Sequence, residues 1–201
     1  RYLCNIRKVA GLDIGNYNGS WDKLFGKSIK VFRKFSQFLL ITDGDTSILD
    51  SLKGKVKVLV QRCLWHIPYQ AKYVLWQDGV KHKSAEWLQV MSELMEICAI
   101  RPLVDCEKTI KKMIESKRKR LESVIQYCLS KGYPHTASYL ENAMPDMFTA
   151  IEKRLKGKTT SKVERVMRTI NMRVNVSKWS IAGALNVTKI RLAYYYNGFD
   201  A

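Results

Sequence analysis

Three short stretches of this sequence combine residue types that can do chemistry. The first is Thr42-Asp43-Gly44-Asp45, which follows the apolar run Phe38-Leu39-Leu40-Ile41. A buried run of that length reads as a strand, and open α/β sheets collect their ligands at the carboxyl ends of strands. A carboxylate there offers the oxygen donors that a hard cation such as Mg²⁺ prefers. Gly44 lets a ligand or another backbone come close. Either aspartate could instead cap the helix that follows; we assign the cap to Asp45 and the metal to Asp43. The second stretch is Gln61-Arg62-Cys63-Leu64-Trp65-His66. Cys63 and His66 could form half of a zinc site, but no second pair follows at zinc-finger spacing. Taken alone they read as a core thiol and a hydrogen-bonded imidazole. The third is Ser161-Lys162-Val163-Glu164-Arg165. Ser161 and Glu164 have the spacing of a capping box, which by itself explains the glutamate. The cations around it, Lys162, Arg165, Arg168, Arg173 and Lys178, would surround a carboxylate that works beside phosphates. Arg165 and Arg168 share one helical face.

The elements that must position these residues can be read from periodicity. Residues 1 to about 14 read as extended, with Asn16, Asn18 and Gly19 marking a turn. Ser20 can cap a helix carrying Trp21, Leu24, Phe25, Ile29, Phe32 and Phe35. After the Asp43 strand comes a short helix with Ile48, Leu49 and Leu52, then a second buried strand through Val56, Val58, Leu59 and Val60. Strand and helix alternate, which predicts an α/β sheet. From about residue 67 the pattern turns helical. Ser84 to Ile100 places Trp87, Val90, Met91, Leu94 and Cys98 on one face. Glu107 to Ser130 does the same with Ile110, Met113, Ile114, Leu121, Val124, Ile125 and Cys128, with Gly132 and Pro134 ending it. Pro145 suits a first helical turn. Two last helices are expected near 161–173 and 178–196. Three segments result: 1–66 as the first part of the core, 67–158 as an all-helical insertion, and 159–201 as the helices that complete the core.

Composition narrows the class of partner. The 35 Lys+Arg against 18 Asp+Glu leave a net charge of +17, an excess that favours a polyanion through counterion release. The runs Lys111-Lys112, Lys117-Arg118-Lys119-Arg120 and Lys153-Arg154 lie off the apolar helix faces and read as a backbone-contacting track for DNA. Tyr194-Tyr195-Tyr196 reads as C-terminal packing. Five cysteines without framework spacing argue against a disulfide scaffold and for a reducing compartment. No run approaches the ~18 apolar residues of a membrane span, and no secretory signal is expected.

In this order and spacing the stretches resemble the mutator-type bacterial insertion-sequence transposases, over nearly the whole chain. The set is an apolar strand ending in Asp43-Gly44, then Gln61-Arg62-Cys63-x-x-His66, a helical block, Ser161-x-x-Glu164-Arg165, and a terminal helix with Trp179. Cys63-x-x-His66 shortly after the Asp strand is its most specific part. The resemblance implies an α/β, ribonuclease H-like mixed sheet flanked by helices, with a large all-α insertion before the last helices. It implies an Asp-Asp-Glu triad in which Asp43 matches the second Asp and Glu164 the Glu. Cys63 and His66 would organise the site from its edge. The implied cofactor is Mg²⁺ (or Mn²⁺), with two ions clamping the scissile phosphate. The implied partners are double-stranded DNA, as transposon ends and target, and a second copy in a homodimer. The setting would be prokaryotic, cytoplasmic and nucleoid-associated. The first Asp of the pattern is missing: Asp13 and Asp22 sit at a turn and a helix start. It is expected upstream of Arg1, which would leave this chain alone weak in metal binding and in cleavage. The alternatives are a DNA-binding remnant without catalysis and a basic helical interaction protein.

Overall fold

In a computed structural model, residues 21–23, 25, 37–45, 47–52, 54–100, 106–155, 168 and 179–197 are described, the side chains of 194–197 excepted. The expected N-terminal extended segment and turn lie outside them, as do Leu24, Ile29, Phe32 and Phe35 and all but Arg168 of the expected 161–173 helix. The described chain is mostly helical and carries a small two-stranded parallel sheet. It divides into two compact units. One comprises residues 1–38, 45–57 and 161–201, the other 39–44 and 58–160.

The sheet pairs β1 (Phe38–Thr42) with β2 (Val58–Arg62). Two backbone bonds frame the parallel ladder, Phe38 N–H to the Lys57 carbonyl at 3.2 Å and Cys63 N–H to the Thr42 carbonyl at 2.8 Å. The strands therefore end side by side. Val56, expected in the second strand, falls in a bend after the Gly54 turn, so β2 begins two residues later. In the sequence, α1 (Ser47–Leu52) lies between the two strands.

The second unit holds the helical block: α2 (His66–Gln77), α3 (Ala85–Cys98), α4 (Glu107–Ser130), α5 (Pro134–Ala143), a 3₁₀ turn (Met144–Asp146) and α6 (Thr149–Glu152). Its core runs through Leu75 of α2, Leu94 and Ile97 of α3, Leu121 and Cys128 of α4, Leu140 of α5, and Met147 and Phe148, all fully buried. The helix faces read from periodicity in α3 and α4 are the ones that pack inward. Helix α3 starts where Ser84 Oγ accepts the Trp87 N–H at 3.2 Å, which makes Ser84 its N-cap. Helix α4 ends on Gly132, whose φ of 74° lets Tyr133 N–H reach the Cys128 carbonyl and Gly132 N–H the Leu129 carbonyl. That pattern is a Schellman close. Pro134 belongs to the next element: it opens α5, where a missing N–H costs nothing. In the first unit, α7 spans Ile181–Asn197.

Candidate functional site

The sharpest local arrangement lies at the carboxyl ends of β1 and β2. Thr42, buried at the end of β1, donates its hydroxyl to Asp43 Oδ1 and accepts the Gly44 N–H, both at 3.3 Å. These bonds orient an exposed carboxylate just beyond the strand. Gly44 has φ 116°, and a Cβ built there would lie 1.7 Å from Arg62 Nη1. Only glycine permits both that backbone and that approach. The Arg62 guanidinium thus lies across the Gly44 backbone, from the end of the neighbouring strand.

Arg62 is held in this pose from its other side. Its Nε donates to Asp146 Oδ1 and its Nη2 to the Asn142 carbonyl, each at 3.1 Å. Next to it, fully buried Gln61 donates Nε2 to the Met147 carbonyl and accepts the Ala150 N–H on Oε1 at 2.8 Å. Two adjacent β2 residues therefore fasten the strand to residues 142–150 of the helical block. The Tyr139 hydroxyl is buried there without a hydrogen-bond partner in the structure. Burial pushes it up to about 12, with the Arg62 charge opposing and Cys98, Asp43 and Cys63 adding to the rise.

Cys63 is fully buried and its backbone closes the sheet against Thr42, while its carbonyl accepts the His66 N–H at 3.0 Å. The Cys63-x-x-His66 spacing is thus the turn that leads from β2 into α2. The His66 ring meets Trp65 edge-on at 4.9 Å between centroids. None of the four described cysteines is in a disulfide. Asp45 has the role assigned to it: its Oδ1 accepts the N–H and hydroxyl of Ser47, at 2.9 and 2.7 Å, at the start of α1.

No protein-family model matches the chain, and no curated protein or solved structure matches it. The site is therefore judged on its own geometry. Among the described residues, no three His, Cys, Asp or Glu side chains form a group that could hold a metal ion. Glu164 lies outside the described residues, with Lys162, Arg165, Arg173 and Lys178. Arg168 is helical and exposed. No described helix is long and apolar enough to cross a membrane.

The basic run of α4 is largely tied into the fold. Lys117 Nζ donates to the Glu96 and Ala99 carbonyls at the end of α3, at 2.6 and 3.3 Å. Burial holds its pKa below the ordinary lysine range. Arg118 reaches Glu152 at 2.8 Å and the Met144 carbonyl at 3.4 Å, and its guanidinium lies 5.6 Å above the Phe148 ring. Arg120 places two N–H groups on Glu93 Oε2 at 2.7 and 3.1 Å. Lys119 pairs with Glu115 one turn back, both largely exposed. Of these contacts only the Lys119–Glu115 pair, at i,i+4 on one helix, is visible in sequence spacing. The roles of Gln61 and Arg62 were not read from sequence either. A glutamine inside an otherwise apolar strand was the available signal, because a buried amide demands partners.

Proposed function

We propose that this chain is the catalytic core of a DNA transposase, performing metal-dependent strand cleavage and strand transfer on duplex DNA. The observation that carries the reading is that Asp43 and Arg62 stand at adjacent carboxyl ends of two parallel strands, with the Arg62 guanidinium lying across Gly44. The net charge of +17 supports a polyanionic substrate. In this reading β1 and β2 belong to a ribonuclease H-like sheet and the helical block is its insertion. Asp43 and Glu164 are the carboxylates offered to Mg²⁺ or Mn²⁺. The donor chemistry fits a hard cation at Asp43, which is exposed, oxygen-only and oriented by Thr42. The bound ions would activate the attacking hydroxyl and stabilise the leaving oxygen. Within the chain, Arg62 supplies a fixed guanidinium for phosphate oxygens, and Asp146 and Asn142 hold it in place. Cys63 and His66 shape the turn beside the site.

Iron-directed scission of the polypeptide tests the reading. With Fe²⁺ and dithiothreitol, a metal shared by Asp43 and Glu164 should cut the backbone near both positions. Excess Mg²⁺ should suppress the cuts and Asp43→Asn should abolish them. Scission near neither position, or cuts indifferent to Asp43→Asn, would overturn it. Salt-sensitive duplex binding with no metal effect would favour a DNA-binding module without catalysis.

A further inference from the structure

Helix α2 has two opposed faces, and only one is explained by the fold. Ile67, Ala71 and Leu75 are fully buried and pack toward α3 and α5. On the other side Trp65, Tyr69, Tyr73 and Trp76 are 50, 41, 45 and 75% exposed. At 100° per residue these four side chains, the first from the residue just before the helix, fall within an arc of about 80°. At 1.5 Å per residue they span roughly 16 Å. They form an ordered ladder. The Trp65 and Tyr69 rings stack at 5.1 Å with 15° between planes, Tyr69 and Tyr73 meet at 5.6 Å, and the Tyr73 hydroxyl donates to that of Tyr69 at 3.2 Å.

The charge along α2 itself is of one sign. Lys72 places Nζ 3.7 Å from the Tyr69 ring centroid and 5.0 Å from that of Tyr73. The sequence has no Asp or Glu between Asp50 and Asp78. The Asp78 carboxylate is already engaged, accepting the His135 and Thr136 N–H groups and the Thr136 hydroxyl at 2.7 to 3.0 Å. A face meant for an aliphatic protein partner would present Leu, Ile or Met. This one presents aromatic rings interleaved with a cation. That combination suits a nucleic-acid strand, since every base has a π-face to stack and every phosphate a charge to neutralise. In a duplex the base faces are hidden inside the stack, so the ladder favours unpaired nucleotides.

We propose that the outer face of α2 binds a short stretch of unpaired DNA, about five nucleotides over ~16 Å at a 3.4 Å repeat. Tyr73 and Trp76 stack on bases, the stacked Trp65–Tyr69 pair extends the platform, and Lys72 takes a phosphate. The proposal rests on the nucleic-acid part of the proposed function and is independent of its metal site.

The test is fluorescence anisotropy of labelled oligothymidine and of a labelled duplex of equal length, titrated with the whole chain and its variants at two salt concentrations. Trp76→Ala, and Tyr73→Ala with Trp76→Ala, should weaken oligothymidine binding about ten- to hundredfold and leave duplex binding within about twofold. Trp76→Phe should restore most of the loss. Lys72→Met should lower the salt slope by about one. Circular dichroism controls for folding, and Trp76 is exposed enough that its truncation should leave the spectrum unchanged. Equal losses on both ligands, or no loss on either, overturn the proposal. Duplex binding without oligothymidine binding overturns it while sparing the transposase reading; no DNA binding at all removes both. A dimer dissolved by Trp76→Ala, with oligothymidine affinity unchanged, would make the face a subunit interface and also overturn it.

Discussion

The basic run of α4 and the outer face of α2 belong to the same helical unit, and their roles are the reverse of what their composition suggests. Lys117-Arg118-Lys119-Arg120 has the charge of a DNA track, yet Lys117, Arg118 and Arg120 are spent on carbonyls and carboxylates of neighbouring helices. Trp65, Tyr69, Tyr73 and Trp76 have the composition of a core, yet they face solvent. A long cationic side chain can bury its stem and still deliver its charge to a partner inside the fold. An aromatic residue is internal only if its helix face is the one covered. Residue type sets what a side chain can do; the neighbouring helices set which of those things it does.

The contrast is easiest to break on α2, where neighbours in sequence sit on opposite faces. Leu75→Ala should cost about 3 kcal/mol of unfolding free energy, because Leu75 is fully buried. Trp76→Ala should change it by less than about 0.5 kcal/mol. Urea unfolding followed by circular dichroism checks both. Comparable losses from the two would mean that the outer face is packed against something and that the contrast is false.

A smaller effect sharpens the α4 side. Arg118→Ala removes ties to Glu152, Met144 and Phe148 together and should cost about 1–2 kcal/mol, reduced by partial exposure of the pair. Lys119→Ala loses only an exposed i,i+4 pair and should stay within about 0.5 kcal/mol. If Arg118→Ala proves as mild as Lys119→Ala while weakening duplex binding more, the run is a DNA track after all.

The smallest effect uses the cysteines as reporters of inner and outer position. Burial pushes the Cys98 thiol up to about 12 and the Cys128 thiol up to about 11. Cys106 is exposed, and the Thr109 and Lys108 groups at the start of α4 hold it below the ordinary thiol range. Among the described cysteines, iodoacetamide at pH 8 should therefore modify Cys106 first, with Cys98 and Cys128 slower by roughly tenfold or more, as read by peptide mass mapping. A raised thiol pKa means that the folded state favours the protonated form. The contribution of Cys98 is thus intact below about 9 and is lost as pH climbs toward about 12. The urea midpoint should fall over that window, and less steeply in Cys98→Ala.

Much of the helical block was legible because its signals are local. The inward face of α3, the 24 residues of α4 and its Gly132 close each depend on residues within a few positions of one another. The strand at Phe38, the cap at Asp45 and the exposed Asp43 beyond it were legible for the same reason. The ties of Gln61 to Met147 and Ala150 and of Arg62 to Asn142 and Asp146 were not, since they join residues 80 to 89 positions apart. No periodicity marks such a pairing. Nor did the spacing of Trp65, Tyr69, Tyr73 and Trp76 reveal its orientation, because the stripe of Ile67, Ala71 and Leu75 on the same helix is equally apolar. A helix with two apolar faces gives no sequence clue to which one is covered.

The sequence by itself determined the types of β1, β2, α3 and α4, the inward faces of α3 and α4, the strong positive charge and the carboxylate placed just past a strand. These follow from periodicity, capping and composition, which act over a turn or two of chain. Tertiary structure alone decided that Arg62 crosses Gly44 beside Asp43, that Lys117, Arg118 and Arg120 of α4 serve as internal ties, and that the aromatic ladder of α2 stays exposed. Each of these depends on which distant segment arrives alongside, and that is set by how the helices pack together.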